Sequence, residues 1–153
     1  MEVDDLLKLY QNDSFFQLIQ NQVQAAQSAQ PHVHIKGLVG SLDAVMAAAM
    51  YKQKPHLDIY VLNDREEAAY FQNDLQYLLK EVDVLYYPPS YKRPYQYEEI
   101  DNASVLQRGE ILNKLNTPNP GPLQIVTYPE ALFAKVINKR SLIANTFTVK
   151  KGE

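Results

Sequence analysis

The sequence predicts a three-layer α/β domain with a mostly parallel sheet and helices on both of its faces. Short apolar runs alternate along the chain with longer segments in which apolar residues recur every three or four positions. Clusters of proline, glycine and asparagine separate several of these segments. Strands that alternate with helices are joined by crossovers, which make neighbouring strands parallel and place the helices on the faces of the sheet.

Size and composition narrow the class of protein. The chain has 153 residues, of which 46% are hydrophobic and 22% charged, and this is enough for one domain with its own core. It has no cysteine, which excludes a disulfide framework, a thiolate zinc site and a cysteine nucleophile. The net charge of −3 argues against a general polyanion binder, although the last 77 residues carry ten basic and eight acidic side chains.

The N-terminal sequence has no targeting signal. Met1 to Asp5 is acidic, whereas a signal peptide begins with a basic segment and continues with an apolar one. No apolar stretch approaches the ~18 residues of a membrane helix. We therefore expect a cytoplasmic protein without a membrane contact.

The chain divides into two parts. Residues 1–30 are rich in glutamine and predict a helical extension that lies on the main domain, with Asp13 or Ser14 as the cap of its helix. Residues 31–153 predict the main α/β domain. Its strands are predicted at residues 33–35, 57–62, 82–87 and 123–128, with a final extended piece at 147–149. The nearly continuous apolar run at 57–62 is typical of a strand covered on both faces.

Capping residues predict where the helices of the main domain begin. Ser41 is expected to cap the first helix, and Asp101 or Asn102 the third, which buries a face of Val105, Gly109, Leu112 and Leu115. Two capping boxes are predicted, Asp64 with Glu67 before the second helix and Thr127 with Glu130 before the last, which runs to residue 137. The acidic residues at these helix starts are interpreted as caps and not as acid–base catalysts.

The loop between the first predicted strand and helix resembles a phosphate-binding loop without its functional side chains. That motif has a glycine, four residues, then glycine, lysine and serine or threonine. Gly37 occupies the first glycine position, and Gly40 and Ser41 lie inside the loop. Leu42, Asp43 and Ala44 replace the second glycine, the lysine and the hydroxyl residue. These changes remove backbone freedom, reverse a charge and delete a magnesium ligand, so we expect no nucleotide triphosphate and no cofactor here. A plain turn, with glycines for close packing, is the alternative.

Two other groups of residues are candidate sites in the sequence. The segment 86–97 is rich in tyrosine and proline and includes Tyr91, Lys92, Arg93, Tyr95 and Tyr97. Aromatic rings stack on bases and cations meet phosphates, so a partner or nucleic-acid surface is one interpretation and a packed loop is the other. His32 and His34 lie two residues apart, but no third ligand is evident, so no metal site and no catalytic residue is predicted.

Several segments, taken in order, resemble the N-terminal part of bacterial transcription-repair coupling factor, which is itself similar to the first helicase lobe of UvrB. Residues 34–41 resemble the family's degenerate phosphate loop, and residues 59–64 its next strand and helix start. Residues 87–95 resemble a shortened loop, and residues 104–115 a helix whose arginine is Arg108 here. Residues 125–132 resemble a strand-to-helix step, and residues 147–152 the exit into a following domain.

This resemblance implies a RecA-like or P-loop-like lobe that is not an enzyme. In the family the N-terminal module helps to recruit UvrA and to restrain the parent protein, while a separate downstream motor hydrolyses ATP. The main UvrA contact is expected in the following subdomain, and contacts with RNA polymerase and DNA only through the parent protein. Arg108 joins the tyrosine-rich segment as a possible partner surface. An active UvrB-type lobe and an unrelated α/β domain that binds a small ligand are the alternatives.

Overall fold

A computed structural model of the chain describes residues 2–25, 32–89, 102–136, 138, 140–141 and 144. The regular elements formed by these residues are, in chain order, α1 (Val3–Gln11), α2 (Ser14–Ala25), α3 (Leu42–Gln53), β1 (Asp58–Val61), α4 (Arg65–Leu78), β2 (Val84–Tyr86), α5 (Asn102–Asn116), β3 (Gln124–Thr127) and α6 (Pro129–Phe133). The predicted extended piece at 147–149 lies outside the described residues.

The three strands form one parallel sheet in the order β1-β3-β2. Tyr60 of β1 and Tyr86 of β2 both lie opposite Val126, which belongs to the central strand β3. The prediction of an α/β chain with a parallel sheet is therefore confirmed. Because the strands are parallel, the segments that follow them all leave from the same edge of the sheet.

A side-chain cap starts α4, as predicted. The carboxylate of Asp64 accepts a hydrogen bond from the backbone N–H of Glu67 at 2.9 Å. The carboxylate of Glu67 accepts in return from the side chain and backbone of Asn63, at 2.7 and 3.4 Å. The predicted apolar face of the helix is buried against the sheet, and its members are Ala68, Phe71, Leu75, Leu78 and the following Leu79. One of them, Phe71, packs on Tyr60 of β1 with ring centroids 5.0 Å apart.

Strand β1 is half covered, although its sequence predicted cover on both faces. Ile59 and Val61 are 52% and 51% exposed, whereas Tyr60 between them is half-buried against α4. Successive side chains of a strand point to opposite faces, so the face away from α4 is open at β1. All four residues of β3 are buried. Position in the described sheet therefore decides the cover: the central strand β3 is buried on both sides although it contains Gln124 and Thr127, whereas the more apolar β1 is not.

Helix α3 packs closely against its neighbours through small side chains. Its buried residues are Ala44, Ala47, Ala48, Ala49 and Tyr51. Helix α1 lies on one side of it, where the Nε2 of Gln11 donates to the carbonyl of Ala49 at 3.0 Å. The ion pair between Lys52 and Asp4, at 2.8 Å, is exposed and adds little stability. Burial of Leu7 and Phe16 in the common core fixes the N-terminal helices more firmly.

The predicted first strand does not form. Residues 32–39 have no regular secondary structure, and within the predicted strand Val33 is half-buried while His34 and Ile35 are exposed. A strand requires a hydrogen-bonded neighbour, and among the described residues β1 pairs only with β3. The apolar character of three residues predicted a strand but could not supply its partner.

The predicted capping box of Thr127 and Glu130 is wrong. Thr127 is the last residue of β3, is completely buried, and donates its hydroxyl to the carbonyl of Tyr87 at 3.0 Å. Tyr128 takes the N-cap position of α6 without a side-chain hydrogen bond, and the helix ends at Phe133, not at residue 137. A buried hydroxyl needs an acceptor, and here the end of β2 provides it.

The predicted buried face of α5 is also partly wrong. Val105 is 51% exposed, while Arg108 and Ile111 are buried. Leu112 and Leu115 are half-buried and pack on the core, as predicted. The sequence prediction did not include Arg108 in the buried face, whereas the structure buries it with the carbonyls of Pro88 and Ala131 as hydrogen-bond acceptors.

Candidate functional site

The segment that leads into α3 contains two glycines with positive φ angles, as a phosphate-binding loop does, but the described residues before it form no strand. Gly37 and Gly40 have φ angles of 84° and 61°, a region in which residues with a Cβ are strained. A Cβ added at either glycine would meet nothing within 4 Å. Backbone conformation therefore explains these glycines, and close packing, the alternative considered from the sequence, does not.

The backbone amides at the start of α3 already have acceptors within the chain. The N–H of Leu42 donates to the carbonyl of Val39 at 3.4 Å, and the N–H of Val45 to the carbonyl of Ser41 at 3.1 Å. The N–H of Ala44 donates to the carboxylate of Asp43 at 2.7 Å. A helix N-terminus favours an anion because its amides and its dipole are positive. Here the carboxylate of Asp43 is that anion.

The side chains around this carboxylate do not suit a bound nucleotide. Ser41 stands at the N-cap position, as predicted, but its side chain makes no capping hydrogen bond. Ala44 is completely buried in the core, so this position presents no ligand to a solvated metal ion. A phosphate at this place would meet a charge of its own sign on Asp43. This arrangement stabilises the start of α3 and leaves few free N–H donors and no positive side chain there to bind a phosphate.

Arg108 lies inside the fold, which contradicts its assignment to a partner surface. It is 5% exposed, and its Nη1 donates to the carbonyl of Pro88, just after β2, and to that of Ala131 in α6 at 3.2 Å. Its guanidinium carbon lies 4.2 Å from the centroid of the Tyr87 ring. Burial lowers the pKa of Arg108 and raises that of Tyr87. Arg108 thus connects α5 with the end of β2 and with α6.

The other residues of the proposed tyrosine-rich surface lie outside the described residues. These are Tyr91, Lys92, Arg93, Tyr95 and Tyr97. The described tyrosines before them are packed: Tyr87 under Arg108, and Tyr86 stacked on Tyr128 with ring centroids 6.3 Å apart. Burial, followed by the neighbouring Tyr128, raises the pKa of Tyr86 above its ordinary value.

A polar network at the opposite edge of the sheet was missed by the sequence interpretation. Gln124 is completely buried in the central strand, and its Nε2 donates to the carboxylate of Asp58 at 2.9 Å. Its Oε1 accepts from the hydroxyl of Tyr60 at 2.7 Å. The second oxygen of the Asp58 carboxylate lies 2.8 Å from Nε2 of His56. Gln124 meets Asp58 and Tyr60 only because β3 pairs with β1, so no local sequence motif predicts this network.

The described part of the chain contains neither a candidate metal site nor a helix that could span a membrane. No group of three histidine, aspartate or glutamate residues within it is placed to hold a metal ion. None of its helices has both the length and the apolar character required to cross a bilayer.

The fold and the candidate site together define a mixed α/β protein with a small parallel sheet. Its glycine-containing loop at residues 37–40 leads into α3, where the carboxylate of Asp43 accepts a hydrogen bond from a backbone N–H of the first turn. No protein-family model matches the chain, and neither a curated protein nor a solved structure matches it.

Proposed function

We propose that the chain is a non-catalytic interaction module of the kind that the N-terminal resemblance implies, a UvrB-like scaffold in a cytoplasmic transcription-repair coupling factor. In this role it serves UvrA recruitment and restraint of the parent protein, and it does not bind ATP. RNA polymerase and DNA are contacted only by other parts of the parent. The observation that carries the proposal is the carboxylate of Asp43, which accepts the N–H of Ala44 at 2.7 Å where a phosphate would bind.

The geometry of the loop supports the non-catalytic part of the proposal in two further ways. The amides of Leu42 and Val45 donate within the chain, so three amides at the start of the helix are committed. Residues 32–39 do not form the strand from which a phosphate loop normally leaves. Both features oppose the alternative of an active UvrB-type lobe.

Titration with a fluorescent ATP analogue tests this part directly. We expect no saturable, magnesium-dependent binding to the chain up to a concentration of roughly 1 mM, and the same result for Asp43→Asn, in which an amide keeps the capping oxygen. Purified UvrB provides the positive control. Micromolar, magnesium-dependent binding to the wild-type chain would refute the proposal and favour the active lobe.

A pull-down with purified UvrA tests the partner. The immobilised chain is compared with the product of the same gene that includes any coding sequence after Glu153. By the resemblance, UvrA should be retained more strongly by the longer protein, because the main contact is expected in the following subdomain. If neither protein retains UvrA, the assignment to this family of coupling factors is wrong, whatever the nucleotide result.

A further inference from the structure

Arg108 is a buried cation without an acidic partner in the described part of the chain. Its side chain is 5% exposed, and its Nη1 is held by the carbonyls of Pro88 and Ala131. None of the ion pairs between described residues includes it. Arginine is rarely buried without a group of opposite charge, because a buried charge without a partner is costly. Two neutral carbonyls therefore do not fully explain this position.

The other amino group of the guanidinium is not hydrogen-bonded. Nη2 of Arg108 is shielded from solvent, and none of the described residues accepts its two N–H groups. An unpaired buried donor is costly, and more so when it belongs to a charged group. A ligand that accepts from Nη2 removes this cost and balances the charge, so the burial of Arg108 favours the binding of an anion.

The guanidinium lies where parallel sheets bind ligands. Pro88 follows the end of β2 and Ala131 follows the end of β3, so Arg108 is placed at the carboxyl edge of these strands. In open α/β sheets, ligands bind outside this edge. The ring of Tyr87 covers one face of the guanidinium, 4.2 Å from its carbon. A ligand therefore has to approach in the plane of the guanidinium, which is the direction of its N–H groups.

The surface of the protein is close to this point. Next to Ala131 in α6, Phe133 is 87% exposed and Leu132 is also exposed. Helix α6 has five residues, and so short a helix has little stability of its own. Local opening of α6 should therefore be less costly than any opening of the sheet, and it is the route by which a small ligand would reach Nη2.

We propose that Arg108 binds the carboxylate group of a small molecule at the carboxyl edge of β2 and β3, with Nη2 as the donor. A carboxylate carries the one negative charge that balances one guanidinium, and its planar pair of oxygens matches planar N–H groups. A phosphate group carries up to two charges and three acceptor oxygens, which is more than one amino group can satisfy. The proposal does not rest on the identity of the parent protein or on the absence of nucleotide binding.

Thermal unfolding in different sodium salts tests the inference. Acetate supplies the carboxylate, chloride is the reference at the same ionic strength, and phosphate tests the preferred charge. We expect roughly 50 mM acetate to raise the midpoint of the wild-type chain by at least about 2 °C over chloride, in a saturable way, and phosphate to raise it less. Equal midpoints in acetate and chloride, or a larger rise with phosphate, would overturn the proposal.

Matched variants locate the binding group. Arg108→Lys keeps the charge but removes Nη2, so the rise with acetate should fall to less than half. Arg65→Lys should keep the full rise, because Arg65 is exposed at the start of α4 beside Tyr86, whose ring is on the opposite face of the sheet to that of Tyr87. Each variant is compared with its own midpoint in chloride. If Arg108→Lys does not fold, NMR of the wild-type chain replaces it: the Tyr87 N–H signal has to shift on titration with acetate and not with chloride.

Two further results would contradict the proposal. An equal rise with acetate in the wild type, Arg108→Lys and Arg65→Lys would show a general effect of the salt on the chain. Loss of stability in Glu98→Gln, Glu99→Gln or Asp101→Asn, with no rise in acetate, would show that a carboxylate of the chain itself pairs with Arg108; these three positions lie outside the described residues. Either result leaves the nucleotide and UvrA tests unaffected.

Discussion

Replacement of Gln124 by leucine is the sharpest test of the packing described above. Leucine has a similar size but no polar atoms, and Gln124 is completely buried in the central strand. The substitution removes the acceptor of the Tyr60 hydroxyl and one donor to Asp58, which lie at 2.7 and 2.9 Å. It also removes weaker donations to the carbonyls of His56 and Leu123, at 3.3 and 3.1 Å.

The expected loss follows from which groups keep a partner. The carboxylate of Asp58 keeps its contact with His56 at 2.8 Å and is partly exposed to water, so the loss of the Gln124 donor destabilises it only slightly. The hydroxyl of the half-buried Tyr60 loses the acceptor that Gln124 provides but keeps the Asp58 carboxylate as a neighbouring acceptor, so its share of the loss is about 1 kcal/mol. Together with the lost bond from Gln124 to Asp58, we expect Gln124→Leu to lower the free energy of unfolding by about 1–3 kcal/mol. That is a measurable part of the ~5–15 kcal/mol that a domain usually has.

A double-mutant cycle measured by urea unfolding isolates the contact between Gln124 and Tyr60. Tyr60→Phe removes the hydroxyl, so the damage from Gln124→Leu should be smaller in that background. We expect a coupling energy of about 1 kcal/mol or more between the two positions. A coupling near zero, or a Gln124→Leu variant as stable as the wild type, would refute the role given to this network.

Three further predictions concern stability. Arg108→Met should lower the free energy of unfolding by about 1–3 kcal/mol, because the carbonyls of Pro88 and Ala131 lose a charged donor; a variant that unfolds at the wild-type urea midpoint would contradict this. Gly109→Ala should raise it by about 0.5–1 kcal/mol, because Gly109 lies inside α5 and an added Cβ meets nothing within 4 Å; thermal melting checks the direction, and a lower midpoint would count against it. Burial, followed by the Asp58 carboxylate, raises the pKa of Tyr60 in the folded chain. The contribution of Tyr60 to stability should therefore be constant below about pH 10 and fall above it, by up to about 1.4 kcal/mol per pH unit, because only the unfolded state then loses the proton. Unfolding at several alkaline pH values should show a shallower fall for Tyr60→Phe, and an identical slope would exclude Tyr60 as the cause.

Local patterns predicted those parts of the fold that depend on neighbours in sequence. The cap at Asp64, the buried face of α4 and the cap at Asp13 follow from spacings of three and four residues, and the structure has them where they were predicted. The predictions for residues 33–35 and for Thr127 are wrong for a common reason. Each depends on a partner distant in sequence: a strand to pair with in the first case, the carbonyl of Tyr87 in the second.

At the candidate site, too, the sequence predicted the local features and missed those that depend on residues distant in sequence. The substitutions at Leu42, Asp43 and Ala44 were evident from the sequence, but the hydrogen bond from the Ala44 amide to Asp43 requires coordinates. Arg108 was assigned to a partner surface through the family resemblance of its helix. Its burial depends on the Tyr87 ring and on two carbonyls that are 20 and 23 residues away along the chain. No periodicity within α5 contains that information.

The strand order β1-β3-β2 also determines when this sheet can exist. Strands β1 and β2 bond to β3 and not to each other, yet β3 is the last of the three to be synthesised. During synthesis on the ribosome, β1 and β2 therefore have no strand to pair with until Gln124–Thr127 has emerged. Closing the sheet joins residues as far apart as Asp58 and Gln124, and contacts between residues so distant in sequence generally slow folding. A chain cut before residue 124 would lack both β3 and α6, and β1 and β2 would lose the strand with which each of them pairs.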